Sequence, residues 1–502
     1  MNIEKSFNLS VRSWFHSVSI VFISVILLSA CGSSDEEDTI GNLRFYNLSA
    51  NSPAIYLTID EDLTDEDEDA YEKTYSGVSF KSLSGISSVD TGNYAYEIAF
   101  QNDDGKSRDD LEILLEGNVN IIEESTKLLV LNGDVNAPEL LSYDVAVIDD
   151  EDDIDDDLFN IQVLNMFESD KDISMYFSKD DETFNEAVLV GQVSYKALLD
   201  NQKFDQDSYI MYLVDTDTNE VVFESDEIDF AFPSQYILSI RKSTTDNGSP
   251  YVVDLISNSS ITEYIDVNTQ STFKAFNAIK THDLLPDYQG DLIFHIENLT
   301  HSATINSFSY GTFSEELVQE NGDYSISLTT PETNSVIIEN HLLTLPENSD
   351  KTVFFYLQET NVDDDGDGDV DENNDGIVDE VEVSIHSLAI NNTNVSNIYD
   401  HKITTINFIE SDDFSFVKVY FVRNNEMISS TPNSQLVSYG LSGSITLLNN
   451  TYTVYVVAQD DTSELILTSF EVVLNEDSKP QFLVLENDDS TPSGYRATFA
   501  EQ

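Results

Sequence analysis

Apolar and polar residues alternate with a period of two along most of this chain, and one such stretch returns four times. Val193-Ser194-Tyr195 is followed fourteen positions later by Tyr209, Val78-Ser79-Phe80 by Tyr94 and Phe308-Ser309-Tyr310 by Tyr324; Val437-Ser438-Tyr439 is followed by Tyr452 thirteen positions later. The marks lie 115 (193 − 78), 115 (308 − 193) and 129 (437 − 308) residues apart, and the excess of 14 (129 − 115) falls in a repeat interrupted by one acidic run. Successive strand side chains point to opposite faces. Tyr94, Tyr96 and Ile98 therefore share a face, as do Tyr209, Met211 and Leu213; Tyr324, Ile326 and Leu328; and Tyr452, Val454 and Val456. Gly92-Asn93, Asp207-Ser208, Gly322-Asp323 and Asn449-Asn450 supply a turn before each tyrosine. These tyrosines are expected to be core and register marks rather than a site.

Each unit opens on an apolar residue followed by Asn, at Asn47, Asn165, Asn277 and Asn407, 28 to 31 residues before its mark. Each closes with an apolar strand (128–131, 237–240, 353–357, 482–485) and then a shorter one (140–143, 251–255, 381–385, 495–499). Six to eight short strands per unit with almost no helical periodicity predict an all-β fold: four tandem immunoglobulin-like β-sandwich domains. Their expected bounds are 43–148, 158–256, 271–390 and 401–502, each long enough to bury a core unaided. The run 149–157 is almost pure acid and reads as an extended linker, and 257–269 and 391–399 are Ser/Asn-rich linkers. Antibody-type marks are missing, because there is no cysteine pair and the one Trp, Trp14, lies in the leader.

Residues 1–30 have the form of a signal peptide: Lys5 and Arg12, an apolar run from Val18 to Leu28 too short to span a membrane, then Leu28-Ser29-Ala30-Cys31. The last four residues resemble the bacterial lipoprotein signal. That resemblance implies a lipidated Cys31 as the first mature residue, a tether over 31–42, and a cell-envelope protein held in the membrane by its lipid. Gly32 rather than Asp follows, which resembles an outer-membrane destination. Cys31 is the single cysteine, so no internal disulfide is available.

Charge then narrows the partners. The chain has 22 basic and 95 acidic residues; cleavage before Cys31 removes two and one, leaving 20 and 94, a net charge of −74. Nucleic acid is excluded as a partner by repulsion, and so are anionic lipid surfaces. Hydrophobic content of 40% argues for packed domains, so the acid must lie on surfaces and loops.

The apolar-Asn opening, the Val-Ser-Tyr-like mark and the Gly/Asn-x-Tyr strand entry, in tandem behind a lipoprotein signal, resemble the domain of unknown function 4397 family across most of residues 43–502. The resemblance implies small β-sandwiches on a bacterial surface protein and carries over no catalytic residue. Repeat three departs most, through its acidic insertion.

That insertion, NVDDDGDGDVDENNDGIVDEVE from Asn361 to Glu382, contains the calcium loop D-x-[DN]-x-[DN]-G-x5-E. Calcium needs several oxygens wrapped around one ion within a dozen residues. Asp371, Asn373 and Asp375 supply side-chain oxygens, Gly376 the sharp turn, Ile377 a carbonyl, Asp379 a further ligand and Glu382 the bidentate carboxylate. Asp363, Asp365 and Asp367 begin a second frame eight residues earlier. Its twelfth position is Asn374, so it should bind more weakly. The spacing resembles an EF-hand loop, and the eight-residue period resembles thrombospondin type 3 repeats. No helices flank it, so a hairpin tip is expected rather than a helix-opening sensor. The acidic run 60–69 has no glycine at a turn position and reads as a solvated loop.

Signatures of catalysis are missing: there is no G-x-S-x-G and no phosphate-binding glycine loop. The six histidines after the leader (282, 295, 301, 341, 386, 401) form no H-x3-H or H-E-x-x-H pair. The sequence thus reads as a lipid-anchored, acidic, calcium-binding envelope protein with a structural or adhesive role and no enzyme activity. The alternative is a surface module that binds a glycan or a protein partner. Absence of Trp from the mature chain weakens the glycan option, because ring stacking favours it.

Overall fold

The computed structural model describes residues 39–62, 71–101, 110–148, 157–244, 248–362, 370, 380–393, 395–411, 413–459 and 463–502. Within them are 35 strands and no α-helix. The strands form eight sheets, two for each repeat. These are the four tandem immunoglobulin-like sandwiches that the period-two pattern predicts.

One sheet of each repeat holds its opening and closing strands. The opening strands are Ile40–Asn47, Leu158–Asn165, Ser271–Ala278 and Asp400–Phe408. The closing strands Ser125–Asn132, Gln235–Lys242, Asp350–Asn361 and Gln481–Asn487 lie parallel to them, in one register throughout: Asn47 faces Leu131, Asn165 Ile240, Asn277 Phe355 and Asn407 Leu485. An antiparallel strand follows each closing strand: Glu139–Ala146, Tyr251–Ile256, Val381–Asn391 and Tyr495–Glu501. The other sheet is built on the tyrosine strand: Gly92–Gln101, Ser208–Asp215, Gly322–Thr329 or Asn450–Gln459.

The tyrosines occupy the cores as expected, and Tyr94, Tyr209, Tyr324 and Tyr452 are all buried. Burying a phenol requires a partner for its hydroxyl. Each donates to the carbonyl four residues upstream: Asp90 at 3.1 Å, Asp205 at 2.9 Å, Glu320 at 2.8 Å and Leu448 at 2.9 Å. This is the tyrosine corner of immunoglobulin-like sandwiches, formed four times.

The opening asparagines are just as regular. All four are at most 1% exposed. Each carboxamide oxygen accepts the N–H two residues on, at 3.0, 2.9, 3.1 and 3.0 Å for Asn47, Asn165, Asn277 and Asn407. The Asn47, Asn165 and Asn407 amides donate to the carbonyls of Val78, Val193 and Val437, the first residue of the mark, and Asn277 donates to Gly290. The asparagine carbonyl takes the N–H of the residue after the mark: Lys81, Lys196, Gly311 or Gly440. The two sequence signals, some thirty residues apart, are two halves of one lock.

Each repeat has its own core, and a second layer of apolar contact joins the repeats in pairs. Leu43, Phe45, Leu129 and Leu131 point into repeat one. Their neighbours Tyr46, Leu48, Leu128 and Val130 meet Leu164, Met166, Ile237 and Ile256 of repeat two. Phe276, Ala278 and Phe354 of repeat three meet Ile406, Phe408, Phe482 and Val484 of repeat four. The opening sheets are therefore apolar on both faces, as their unbroken apolar closing strands require.

One expected linker is corrected, and another is found packed against a repeat. Residues 257–269 hold a strand, Ile261–Ile265, which pairs with Tyr251–Ile256 and extends the sheet of repeat two. Its β-branched Ile-Thr-Glu-Tyr-Ile is hidden in sequence by the Ser/Asn residues around it. The segment 391–399 ends packed on repeat one: Ile398 donates its N–H to the Asn51 carbonyl at 3.0 Å, and the Tyr399 ring lies 5.7 Å from Phe100. The acidic runs 63–70 and 149–156 lie outside the described residues.

Asn407→Ala should lower stability by about 2–4 kcal/mol, since it deletes two bonds and leaves a carbonyl and an N–H buried without partners. Exposed Asn424→Ala should stay within about 0.5 kcal/mol. Chemical denaturation of the two variants checks this, and equal effects would refute the lock.

Candidate functional site

The acidic insertion sits at the end of the longest hairpin of repeat three, where Asp350–Asn361 pairs with Val381–Asn391 from Lys351·Asn391 out to Asn361·Val381. The Val362 N–H to Glu380 carbonyl bond, 3.0 Å, continues the ladder one step further. Val383 and Ile385 face the core of repeat three. Glu382, just before Val383, is exposed opposite Thr360. Of the expected ligands only Glu382 is among the described residues. Asp363, Asp365, Asp367, Asp371, Asn373, Asp375, Ile377 and Asp379 lie outside them, as does Cys31. No group of three or more His, Cys, Asp or Glu is placed to hold a metal among the described residues.

The seams between repeats carry chemistry that the sequence did not disclose. The residue after each mark adopts a left-handed backbone: φ is 62° at Lys81 and Lys196, 72° at Gly311 and 69° at Gly440. Glycine takes that conformation freely, whereas a side chain there costs of order 1 kcal/mol or more. Repeats three and four need glycine for a further reason. A Cβ at Gly311 would collide with the Arg496 guanidinium, and one at Gly440 with the Tyr356 hydroxyl. Repeats one and two carry lysines there, which reach across the seam: Lys81 to Glu263 at 2.8 Å and Lys196 to Glu139 at 2.6 Å.

The third residue of each mark faces the partner repeat. Tyr310 donates to the Asn487 carbonyl at 3.1 Å, and Tyr439 donates to the Leu357 carbonyl. Each acceptor lies two residues beyond the rung of its own repeat's asparagine, so the two tyrosines clasp repeats three and four reciprocally. In the first pair one clasp survives in altered form, with Asn132 donating to the Tyr195 hydroxyl at 3.1 Å. The other is missing, because Phe80 has no hydroxyl. The matching carbonyl, Lys242, accepts from the Arg241 guanidinium at 3.2 Å. A cleft of about 320 Å³ opens there, lined by Leu48, Phe80, Met166, Lys242 and Val395 among others.

Beside the cleft, Arg241 forks onto Asp254, with Nε–Oδ2 2.5 Å and Nη2–Oδ1 3.0 Å. Glu263 also contacts Arg241, and Tyr46 donates to Asp254 across the seam. Burial pulls the guanidinium pKa down, but Asp254 outweighs it and the net direction is up. Burial, with Asp254 next, holds the Tyr46 phenol well above its ordinary value. In the second pair Arg496 meets Glu486 at 2.8 Å and stands 5.5 Å from the Tyr310 ring, while Lys280 meets Glu410 at 2.9 Å. Burial raises the Glu486 carboxyl, with Arg496 opposing. Lys after the first two marks where Gly follows the other two, and Phe at the end of the first mark where the others end in Tyr, were the legible signals of this asymmetry.

No family model and no curated protein matches the sequence. Several solved structures are loosely similar. The Bacillus anthracis TIE protein is 10% identical over 87% of this chain and 69% of its own, with a TM-score of 0.17. The major pilin subunit BcpA of Bacillus cereus is 7% identical over 66% of this chain and all of its own, with a TM-score of 0.14. Two B repeat units of the Staphylococcus aureus collagen-binding protein are 8% identical over 92% of this chain and all of their own, with a TM-score of 0.09. Likenesses this loose carry no functional argument, and the four-sandwich fold stands on the sheets themselves.

Acid should loosen the first seam. Burial pushes the Glu263 carboxyl up, but Arg241 and Lys81 outweigh it and hold it below its ordinary value of 4.5. A depressed carboxylate contributes stability above its unfolded pKa and loses it as pH falls through the folded one. The stability gap between wild type and Glu263→Gln should therefore shrink from about pH 6 to about pH 3. Melting curves across that range check the sign, and a constant gap would refute it.

Proposed function

We propose that the protein is a lipid-anchored, calcium-binding component of a bacterial cell envelope, with a structural or adhesive role on the outer membrane. The observation that carries this reading is the two-sided burial of the opening sheets. It joins the sandwiches into pairs, suited to presenting surfaces to a protein or glycan outside the cell. Support for the anchor comes from Leu28-Ser29-Ala30-Cys31 and from the single cysteine. Multiple acyl chains contribute about 0.8 kcal/mol per buried methylene, enough for durable anchoring. The high acidic charge suits solubility in a saline medium and attraction for divalent cations.

Support for calcium comes from the ligand spacing between Asp371 and Glu382 and from the hairpin that brings Glu382 to the base of the insertion, on the exposed side of its strand. Calcium would supply charge neutralisation among carboxylates that otherwise repel one another. Asp371, Asn373, Asp375 and Asp379 would hold it with Glu382 and the Ile377 carbonyl, and Asp363, Asp365 and Asp367 would serve a weaker second ion. No catalytic role is assigned to any residue.

A radiolabelled fatty acid should tag the wild-type protein in cells and not Cys31→Ser; equal labelling would remove the anchor. Calorimetric titration of residues 31–502 with calcium should release heat, and Glu382→Ala should bind at least about tenfold more weakly. A hundredfold excess of calcium over Kd should stabilise the wild type by about 2.7 kcal/mol. Absent heat, or identical titrations of the two proteins, would reduce the insertion to an acidic tip.

A further inference from the structure

We propose that the cleft at the unclasped corner of repeats one and two binds a small organic anion with an apolar body, a carboxylate or sulfonate attached to an aliphatic or aromatic group. The inference is independent of the anchor and of calcium. It rests on comparing the two pairs of repeats. Both pairs bury opening sheet against opening sheet, and the same mark approaches the same end of the partner's closing strand. In the second pair a tyrosine hydroxyl seals each corner. In the first pair the corner at Phe80 is left open, as a cleft of about 320 Å³. That volume suits a small ligand, and sites of this kind favour junctions between domains.

The lining fixes the ligand's chemistry. Leu48, Phe80, Met166 and Val395 supply an apolar wall, and neutral polar residues, Asn51, Asn132 and Thr244 among them, supply the rest of the lining beside the two cations. No Asp or Glu is among the lining residues, on a chain that carries 95 of them. Arg241 is already satisfied by Asp254 and Glu263, so its charge is not available. Lys242 is exposed and has no ion-pair partner among the described residues. One free cation beside an apolar wall matches one negative charge on an apolar body. An adjoining hollow is lined by Asp134 and Glu168 and by Lys242 itself, so Lys242 stands between an acidic side and the apolar wall, and an anion would be held on the wall side.

Anilinonaphthalene sulfonate has this chemistry and fluoresces on leaving water. Added to folded residues 31–502, it should bind one saturable site and be displaced by octanoate. Lys242→Glu should weaken binding at least roughly tenfold, because it replaces a surface attraction by a repulsion. Lys242→Met, which keeps the volume and removes only the charge, should weaken it less, and Lys479→Glu in repeat four should leave it unchanged. The Lys242 side chain is exposed, so the variants should melt with the wild type. Absence of saturable binding, or equal affinity of wild type and Lys242→Glu, would overturn the proposal.

Discussion

A single buried carboxamide on each opening strand fixes where both sheets of its repeat sit. The side chain cannot be buried without partners. Its partners are the loop that follows and the first residue of the mark (Gly290 in repeat three), while the asparagine's backbone carbonyl takes the N–H of the residue after the mark, so the opening strand, that turn and the second sheet are positioned together. The constraint is applied at the same rung in every repeat, opposite Leu131, Ile240, Phe355 and Leu485. Whatever projects from the turn therefore meets the partner repeat at the same place. The reciprocal tyrosines of the second pair, and the open corner of the first, are two outcomes of one geometry.

Much of this was legible in the residues, though not all of it as contact. Alternation around Tyr94, Tyr209, Tyr324 and Tyr452 predicts buried strands because period two maps directly onto a sheet face. The asparagines and the marks were visible as spacing, but their hydrogen bonds were not, since a gap of thirty residues does not specify which carbonyl an amide will find. The runs Leu128-Leu129-Val130-Leu131 and Phe482-Leu483-Val484-Leu485 break the alternation and signal burial on both faces. Read one repeat at a time they look like ordinary core, because the second face belongs to a different repeat. Strand Ile261–Ile265 escaped notice among serines and asparagines. Of the expected calcium ligands, Glu382 alone falls where the structure speaks.

Cations are few here, and their placement is selective. Arg44 donates to Ser257, Lys81 pairs with Glu263, Lys196 with Glu139, Lys280 with Glu410, Lys274 donates to the Glu501 carbonyl, and Arg496 covers Tyr310; every one of these contacts crosses from one repeat to another. A chain of net charge −73 would otherwise meet itself at each seam with like charge. Partly buried pairs are screened less by salt than exposed ones. The seams are thus the part of this surface whose electrostatics depend least on the ionic strength outside.

The strand order also sets how the molecule would respond to a pull. In repeats one, three and four the final strand runs antiparallel to a closing strand that is itself parallel to the opening strand. Entry and exit therefore lie at the same end of the sheet, Thr126 beside Asn42 and Val145 in repeat one. Tension applied there opens rungs in succession, like a zip, rather than loading the whole ladder in shear. Repeat two adds Ile261–Ile265, which carries the exit to the opposite end. A tug along the chain would thus load repeat two across its sheet and the other three at one edge.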